Sequence, residues 1–164
     1  MIVQGLKRAP LGTFSLSEDS GESVRITYNP DLLQNRISLV ATFAHELSHY
    51  LIAAAKSEPP GGWESNEFVT DLAGVFLGFG VFLVNSSFNF RQYTELQSEG
   101  WSYEKHGYLS ERDLLYALAI FSVTLNIEPA DVTPHLKTWM GGDFRKAIKE
   151  VAAMDTEISR LRGI

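Results

Sequence analysis

The longest apolar run in the chain, Leu72 to Val84, spans 13 residues. A helix needs roughly 20 such residues to cross a bilayer. The run therefore predicts a buried core helix, against which the rest of the chain must pack. This helix is expected to begin near Glu64 and to reach about Val84, with Asn85 and Ser86 ending it. Gly74, Gly78 and Gly80 lie inside it. Each interior glycine costs up to about 1 kcal/mol against alanine. Close packing of another helix on that smooth face is the expected compensation.

Upstream, Thr13–Leu16 and Val24–Tyr28 read as short strands joined by the polar turn Ser17-Glu18-Asp19-Ser20-Gly21-Glu22, a hairpin pattern. Asn29-Pro30-Asp31 is a helix start: Asn29 can cap, Pro30 suits the first helical position, and Asp31 favours the positive end of the dipole. A helix to about Lys56 follows. Leu33, Ile37, Val40, Ala44, Leu47 and Leu51 recur at three- and four-residue steps and predict one buried stripe. Glu58-Pro59-Pro60-Gly61-Gly62 breaks the chain before the core helix.

Downstream, residues 88–107 read as irregular and aromatic-rich, with Phe90, Tyr93, Trp101 and Tyr103. Ser110-Glu111-Arg112-Asp113 resembles a capping box and opens a third helix to about Thr124. Thr133-Pro134 starts a short helix that Gly141-Gly142 should end, and Asp143 is expected to cap a last helix to about Leu161. The 164 residues fit one domain. Its fold class is expected to be α+β, mostly helical with a small N-terminal hairpin. The core should lie at about 24–84 and a helical C-terminal part at about 109–164.

Charge and residue usage narrow the chemistry. The formal net charge is -6, so neither nucleic acid nor an anionic membrane is an expected partner. The chain has no cysteine, which excludes disulfides and thiolate metal sites. Any metal must be held by carboxylates and the four histidines, His45, His49, His106 and His135. The first residues lack a charged start followed by a long apolar stretch, so no signal peptide is read and a cytoplasmic location is expected.

Residues 45–49 read His45-Glu46-Leu47-Ser48-His49. On a helix, positions i and i+4 share a face one turn apart, so two imidazoles can aim at a common zinc ion. Glu46 is rotated off that pair and can act as general base toward a water on the metal. The motif also puts two histidines and a glutamate into an otherwise apolar stretch, where buried polar groups need partners. A solvent-facing His-Glu-His stripe is the competing reading. A catalytic zinc normally takes three protein ligands. In Asn66-Glu67-Phe68-Val69-Thr70-Asp71, Glu67 and Asp71 are again i and i+4. Glu67 can supply the third ligand, and Asp71 can accept the free ring N–H of a ligating histidine and fix its tautomer. An exposed acidic first turn is the alternative for both, and Glu64 is the competing ligand.

This pair of blocks resembles the gluzincin metallopeptidases, whose thermolysin branch carries a closely similar Asn-Glu-x-x-Ser-Asp block. The resemblance implies His45, His49 and Glu67 as zinc ligands, Glu46 as the base and Asp71 as support for a ligating histidine. It covers residues 45–71 specifically and 24–84 in outline. The interval between the second histidine and the glutamate is slightly shorter than in the thermolysin type, and the chain is far smaller. It looks more like the minimal gluzincins, and the resemblance implies a zincin-like fold with the hairpin packed on the histidine-bearing helix.

A peptidase also needs a donor for the developing oxyanion. His106 and Tyr108 are the candidates, in a loop before a helix, with Tyr103 a weaker one; His135 has no assigned role. In the gluzincin arrangement a sheet edge lies beside the metal, so Arg25–Tyr28 is a candidate edge for strand addition by a peptide, with a purely structural hairpin as the alternative. The leading expectation is a zinc-dependent hydrolase acting on a peptide or protein. A non-catalytic zinc module that recognises a protein partner is the second. A membrane-embedded metalloprotease is the third, opposed by Asp71, Arg112 and the short apolar runs.

Overall fold

The computed structural model describes residues 12–16, 24–55, 57–95 and 109–163. Two antiparallel strands, β1 (Gly12–Leu16) and β2 (Val24–Tyr28), pair with Gly12 opposite Tyr28 and Leu16 opposite Val24. Seven helices follow among the described residues: α1 (Arg36–Ala54), α2 (Asn66–Gly74), α3 (Gly80–Glu95), α4 (Glu111–Thr124), α5 (Pro129–Val132), α6 (Met140–Ala152) and α7 (Asp155–Arg162). The class is α+β and mostly helical, as expected. The hairpin packs on α1, with the Tyr28 ring edge-on to Phe43 at 5.5 Å.

α1 starts later than its sequence suggests. Asn29 does cap, accepting from Asp31 N, but only a 3₁₀ turn over Pro30–Gln34. Asn35 then leaves the helical region at φ -130°, and its side chain accepts from Ser38 N at 3.1 Å to start α1 afresh. The expected buried stripe is overturned. Leu33, Ile37, Leu47 and Leu51 are all exposed, while Ser38, Thr42, His45, Glu46 and Ser48 are buried along with Ala41 and Ala44. The inward face is the one that carries His45, whose ring is paired with Asp71 and Glu67 on α2, and small residues such as Ala41, Ala44 and Ser48 let that helix approach closely.

The core helix is longer and less regular than predicted. A short 3₁₀ turn, Trp63–Ser65, leads into α2. Residues Val75–Phe79 widen to π geometry with Gly78 at φ 95°, and α3 then continues to Glu95. Asn85 and Ser86 therefore do not end it, and residues 88–95 are helical rather than irregular. Instead Asn85 is buried and braces a distant loop: its amide donates to the His135 carbonyl at 2.7 Å and accepts from Lys137 N at 3.0 Å. The three glycines have two different causes. A Cβ on Gly80 would lie 2.8 Å from Leu118 Cδ1 of α4, and one on Gly74 would lie 2.8 Å from Leu83 Cδ1, with Ser48 Oγ of α1 at 3.5 Å. Those are close approaches, as expected. A Cβ on Gly78 would meet nothing within 4 Å among the described residues; this glycine is required by its left-handed backbone, which kinks the rod. The whole Trp63–Ser87 stretch is long and apolar enough to cross a membrane by length and composition, a test that core helices of soluble proteins also pass.

α4 opens with the predicted capping box, in which Ser110 and Asp113 satisfy each other's backbone N–H. It packs against α3, α6 and α7. Leu114, Leu118, Phe144 and Val151 meet Ala41, Val75 and Val84 in one core. Gly141 and Gly142 do not end a helix; they lie in the first turn of α6, and Asp143 is inside that turn rather than its cap. Only short helical turns precede α6, over Pro129–Val132 and Thr133–His135. The expected last helix divides at Ala153-Met154 into α6 and α7.

Candidate metal centre

α1 supplies His45 and His49 one turn apart, and their rings stand edge to face with centroids 4.7 Å apart. α2, returning after the Pro-Pro-Gly-Gly break, lays its first turn against them. The positive φ of Gly61 (83°) and Gly62 (80°) makes that reversal possible. Three ligand-type atoms then converge. His45 Nε2 and His49 Nε2 are 3.1 Å apart, and Glu67 Oε2 is 3.2 Å from the first and 3.4 Å from the second. Zinc–nitrogen and zinc–oxygen bonds of about 2.0–2.2 Å at tetrahedral angles put neighbouring ligand atoms roughly 3.3 Å apart. The triangle matches that spacing on all three edges, so His45, His49 and Glu67 could hold a metal ion.

Each histidine is oriented from behind. His45 Nδ1 donates to Asp71 Oδ1 at 3.0 Å, and both residues are buried. The second Asp71 oxygen, Oδ2, accepts from Leu109 N at 2.9 Å. The carboxylate is thereby held from two sides and leaves His45 Nε2 for the centre. His49 has its own support. Thr70 Oγ1 donates to the Asn66 carbonyl at 2.8 Å and so has only a lone pair to offer His49 Nδ1, 3.2 Å away. Through that lone pair Thr70 favours the tautomer with the proton on Nδ1, which leaves Nε2 toward the centre. Asn66 Nδ2, which can only donate, lies farther off, at 3.4 Å from the same ring nitrogen, and favours the other tautomer.

The electrostatics follow from this crowding. Burial alone would pull the His45 pKa down. The Asp71 hydrogen bond, and then Glu67, overcome it and raise the value to about 9. Burial pushes Glu67 up, but the hydrogen bonds to His45 and His49 win and lower it to about 2. In the metal-free protein a proton on His45 Nε2, shared toward Glu67, therefore occupies the place where a cation would go. Glu46 is raised above the ordinary carboxylate range by burial, with Glu67 adding and the two histidines opposing. A base so raised holds a proton better than a solvated carboxylate does. Strand β1 lies directly against it: a Cβ on Gly12 would be 2.9 Å from Glu46 Oε1.

The structure thus brings together His45, His49, Glu67, Asp71 and Glu46. Glu64 is exposed and outside the ligand group. His106, Tyr108 and Tyr103 lie outside the described residues. His135 is exposed and outside the ligand group. The hairpin strand found against Glu46 is β1 at Gly12. Sequence reasoning missed Thr70 and Leu109. Thr70 carried a signal, since it sits one turn after Asn66 in the same polar block, whereas Leu109 contributes a backbone N–H that no side chain announces.

No protein-family model, curated protein or solved structure matches the chain.

Proposed function

We propose that this chain is a zinc-dependent hydrolase of the gluzincin kind that cleaves peptide bonds. The observation that carries the reading is the His45–His49–Glu67 triangle, with edges of 3.1, 3.2 and 3.4 Å, beside a buried glutamate one residue along from the first ligand. Two imidazoles and a carboxylate are a donor set found at catalytic zinc sites, which keep a fourth position open. Zinc, when bound, supplies the Lewis acidity that lowers the pKa of a water toward about 7 and polarises a carbonyl.

The chain's own residues supply the rest. Asp71 and Thr70 hold the two rings so that Nε2 of each faces the centre. Glu46 accepts the proton of the attacking water on its carboxylate and returns it to the leaving amine. Burial raises its proton affinity and suits it to both transfers. The two-stranded hairpin against α1 offers an extended edge on which a peptide could add as a further strand. β1, which touches Glu46, is the edge nearest the base. The zincin-like fold belongs to this proposal, as does a cytoplasmic setting.

Protein purified without chelator should carry about one zinc per chain. Glu46→Gln should keep that zinc and abolish cleavage of an unstructured protein such as casein. Sub-stoichiometric zinc in the wild type would overturn the metal reading. Full hydrolysis by Glu46→Gln would overturn the role of the base. Zinc without any hydrolysis in the wild type would favour the non-catalytic module.

A further inference from the structure

We propose that Gly12 and the methyl group of Thr42 form the seat that fixes the Glu46 carboxylate, which makes both positioning residues for hydrolysis; this rests on the function proposed above. A Cβ built on Gly12 would lie 2.6 Å from Thr42 Cγ2, 2.9 Å from Glu46 Oε1 and 3.1 Å from Glu46 Cγ. Real Cβ contacts essentially never fall below 3.0 Å. Gly12 is not among the residues with positive φ, so any residue could adopt its backbone. Only the space forbids a side chain, and that space is bounded by two side chains one helical turn apart on α1.

The hairpin end is pinned at this place from its other strand as well. Tyr28, the partner of Gly12 in the register, sets its ring edge-on to Phe43, the residue after Thr42. β1 therefore cannot slide along α1 without breaking that contact. Thr42 is buried at 1% exposure, and its hydroxyl has no hydrogen-bond partner among the described residues. What it contributes against Gly12 is its methyl surface. Glu46 is left with strand backbone on one side and the Thr42 side chain one turn before it on its own helix. A general base has to be held to within about 0.5 Å of its working position. Displacements of about 1 Å at a catalytic group cost on the order of 100-fold.

An alanine methyl at position 12 falls about 0.8 Å short of ordinary contact with Thr42 Cγ2. Strand, threonine and glutamate must share that displacement. None of the three ligands is among the atoms nearest to that methyl. The experiment compares wild type, Gly12→Ala, Thr42→Ser and the double variant, all loaded with zinc. Three quantities are measured: zinc content, kcat and KM on a peptide substrate, and calorimetric affinity for acetohydroxamate, which chelates the metal and gives a hydrogen bond to a neighbouring carboxylate.

Gly12→Ala should keep its zinc, lose about 10- to 100-fold in kcat with KM within about threefold, and bind acetohydroxamate at least about tenfold more weakly. Adding Thr42→Ser deletes the methyl at 2.6 Å and should recover at least about threefold of both losses. Thr42→Ser alone loosens the seat without adding bulk. It should lower kcat severalfold with zinc retained, and it decides the matter should Gly12→Ala not fold. Unchanged kcat and acetohydroxamate affinity in Gly12→Ala or in Thr42→Ser overturn the seat, as does loss of zinc in step with activity. Wild type that binds neither zinc nor acetohydroxamate overturns the hydrolase reading itself, a distinguishable result.

Discussion

Asp71→Asn tests whether the centre depends on a carboxylate that serves two donors. Asp71 accepts from His45 Nδ1 at 3.0 Å through one oxygen and from Leu109 N at 2.9 Å through the other. Asparagine has one acceptor and one donor end, so whichever way it turns, one buried N–H faces another. An unpaired buried donor costs about 1–3 kcal/mol. Charged on the His45 side, that amounts to roughly 10- to 100-fold in zinc affinity, the usual range for a residue behind a metal ligand. A second effect opposes it. The Asp71 bond also strengthens the proton on His45, whose pKa of about 9 makes zinc compete with that proton at pH 7. Up to about 100-fold of affinity is hidden by that competition, since each pH unit below the pKa is worth about tenfold. At pH 7 the two effects offset one another. At pH 9 the competition is nearly gone and the loss stands alone. The assay is a zinc titration against a chromophoric chelator at both pH values. Asp71→Asn should bind zinc about 10- to 100-fold more weakly at pH 9 and much closer to wild type at pH 7. Equal affinities at pH 9 would refute the reasoning.

The metal-free protein should be most stable between pH 4.5 and 6.5 in chelator-treated melts. His45 is raised from 6.5 to about 9, so its stabilisation is complete below 6.5 and is lost as pH rises toward 9, by about 3 kcal/mol. Glu67 is lowered from 4.5 to about 2, so its share is present above 4.5 and lost on acidification toward 2; a flat profile from 6.5 to 9 would contradict the His45 pairing. Thr70→Val removes the acceptor for His49 Nδ1 and should weaken zinc binding about tenfold, whereas Thr70→Ser should bind like wild type; equal losses in the two variants would show that packing, not the hydroxyl, matters. Gly142→Ala adds a Cβ inside α6 with nothing within 4 Å among the described residues and should stabilise by about 0.5–1 kcal/mol, raising Tm by about 1–4 °C; no change in Tm would mean that the first turn gains nothing from propensity.

The candidate centre was more legible in the sequence than the packing around it. Two i, i+4 pairs, His45 with His49 and Glu67 with Asp71, specify their own geometry, because helical spacing alone puts each pair on one face. The capping box at Ser110 and the strand Val24–Tyr28 were legible for the same reason, being local. The misreadings were tertiary. Periodicity shows which residues of α1 share a face but not which face turns inward. That was decided by α2, whose Glu67, Thr70 and Asp71 lie against His45 and His49. Asn85-Ser86 looked like a terminus, since both residues favour ends. The rod runs through them because Asn85 finds its partners some 50 residues downstream. Gly141-Gly142 looked like a stop, yet a glycine does not prevent helix where its neighbours pack, and Phe144, Ala147 and Val151 do.

The reversed burial of α1 alters what sequence variation along it would mean. On an ordinary surface helix, a leucine exchanged for a glutamate is damage and a serine exchanged for an alanine is noise. Here Leu47 and Leu51 face water, so charged replacements there should leave the fold alone and improve solubility. Ser48 is wholly enclosed and spends its hydroxyl on the Ala44 carbonyl. The helix is greasy where it is wet and hydrophilic where it is dry. Hydrophobicity profiles would accordingly score its least tolerant positions as its most expendable.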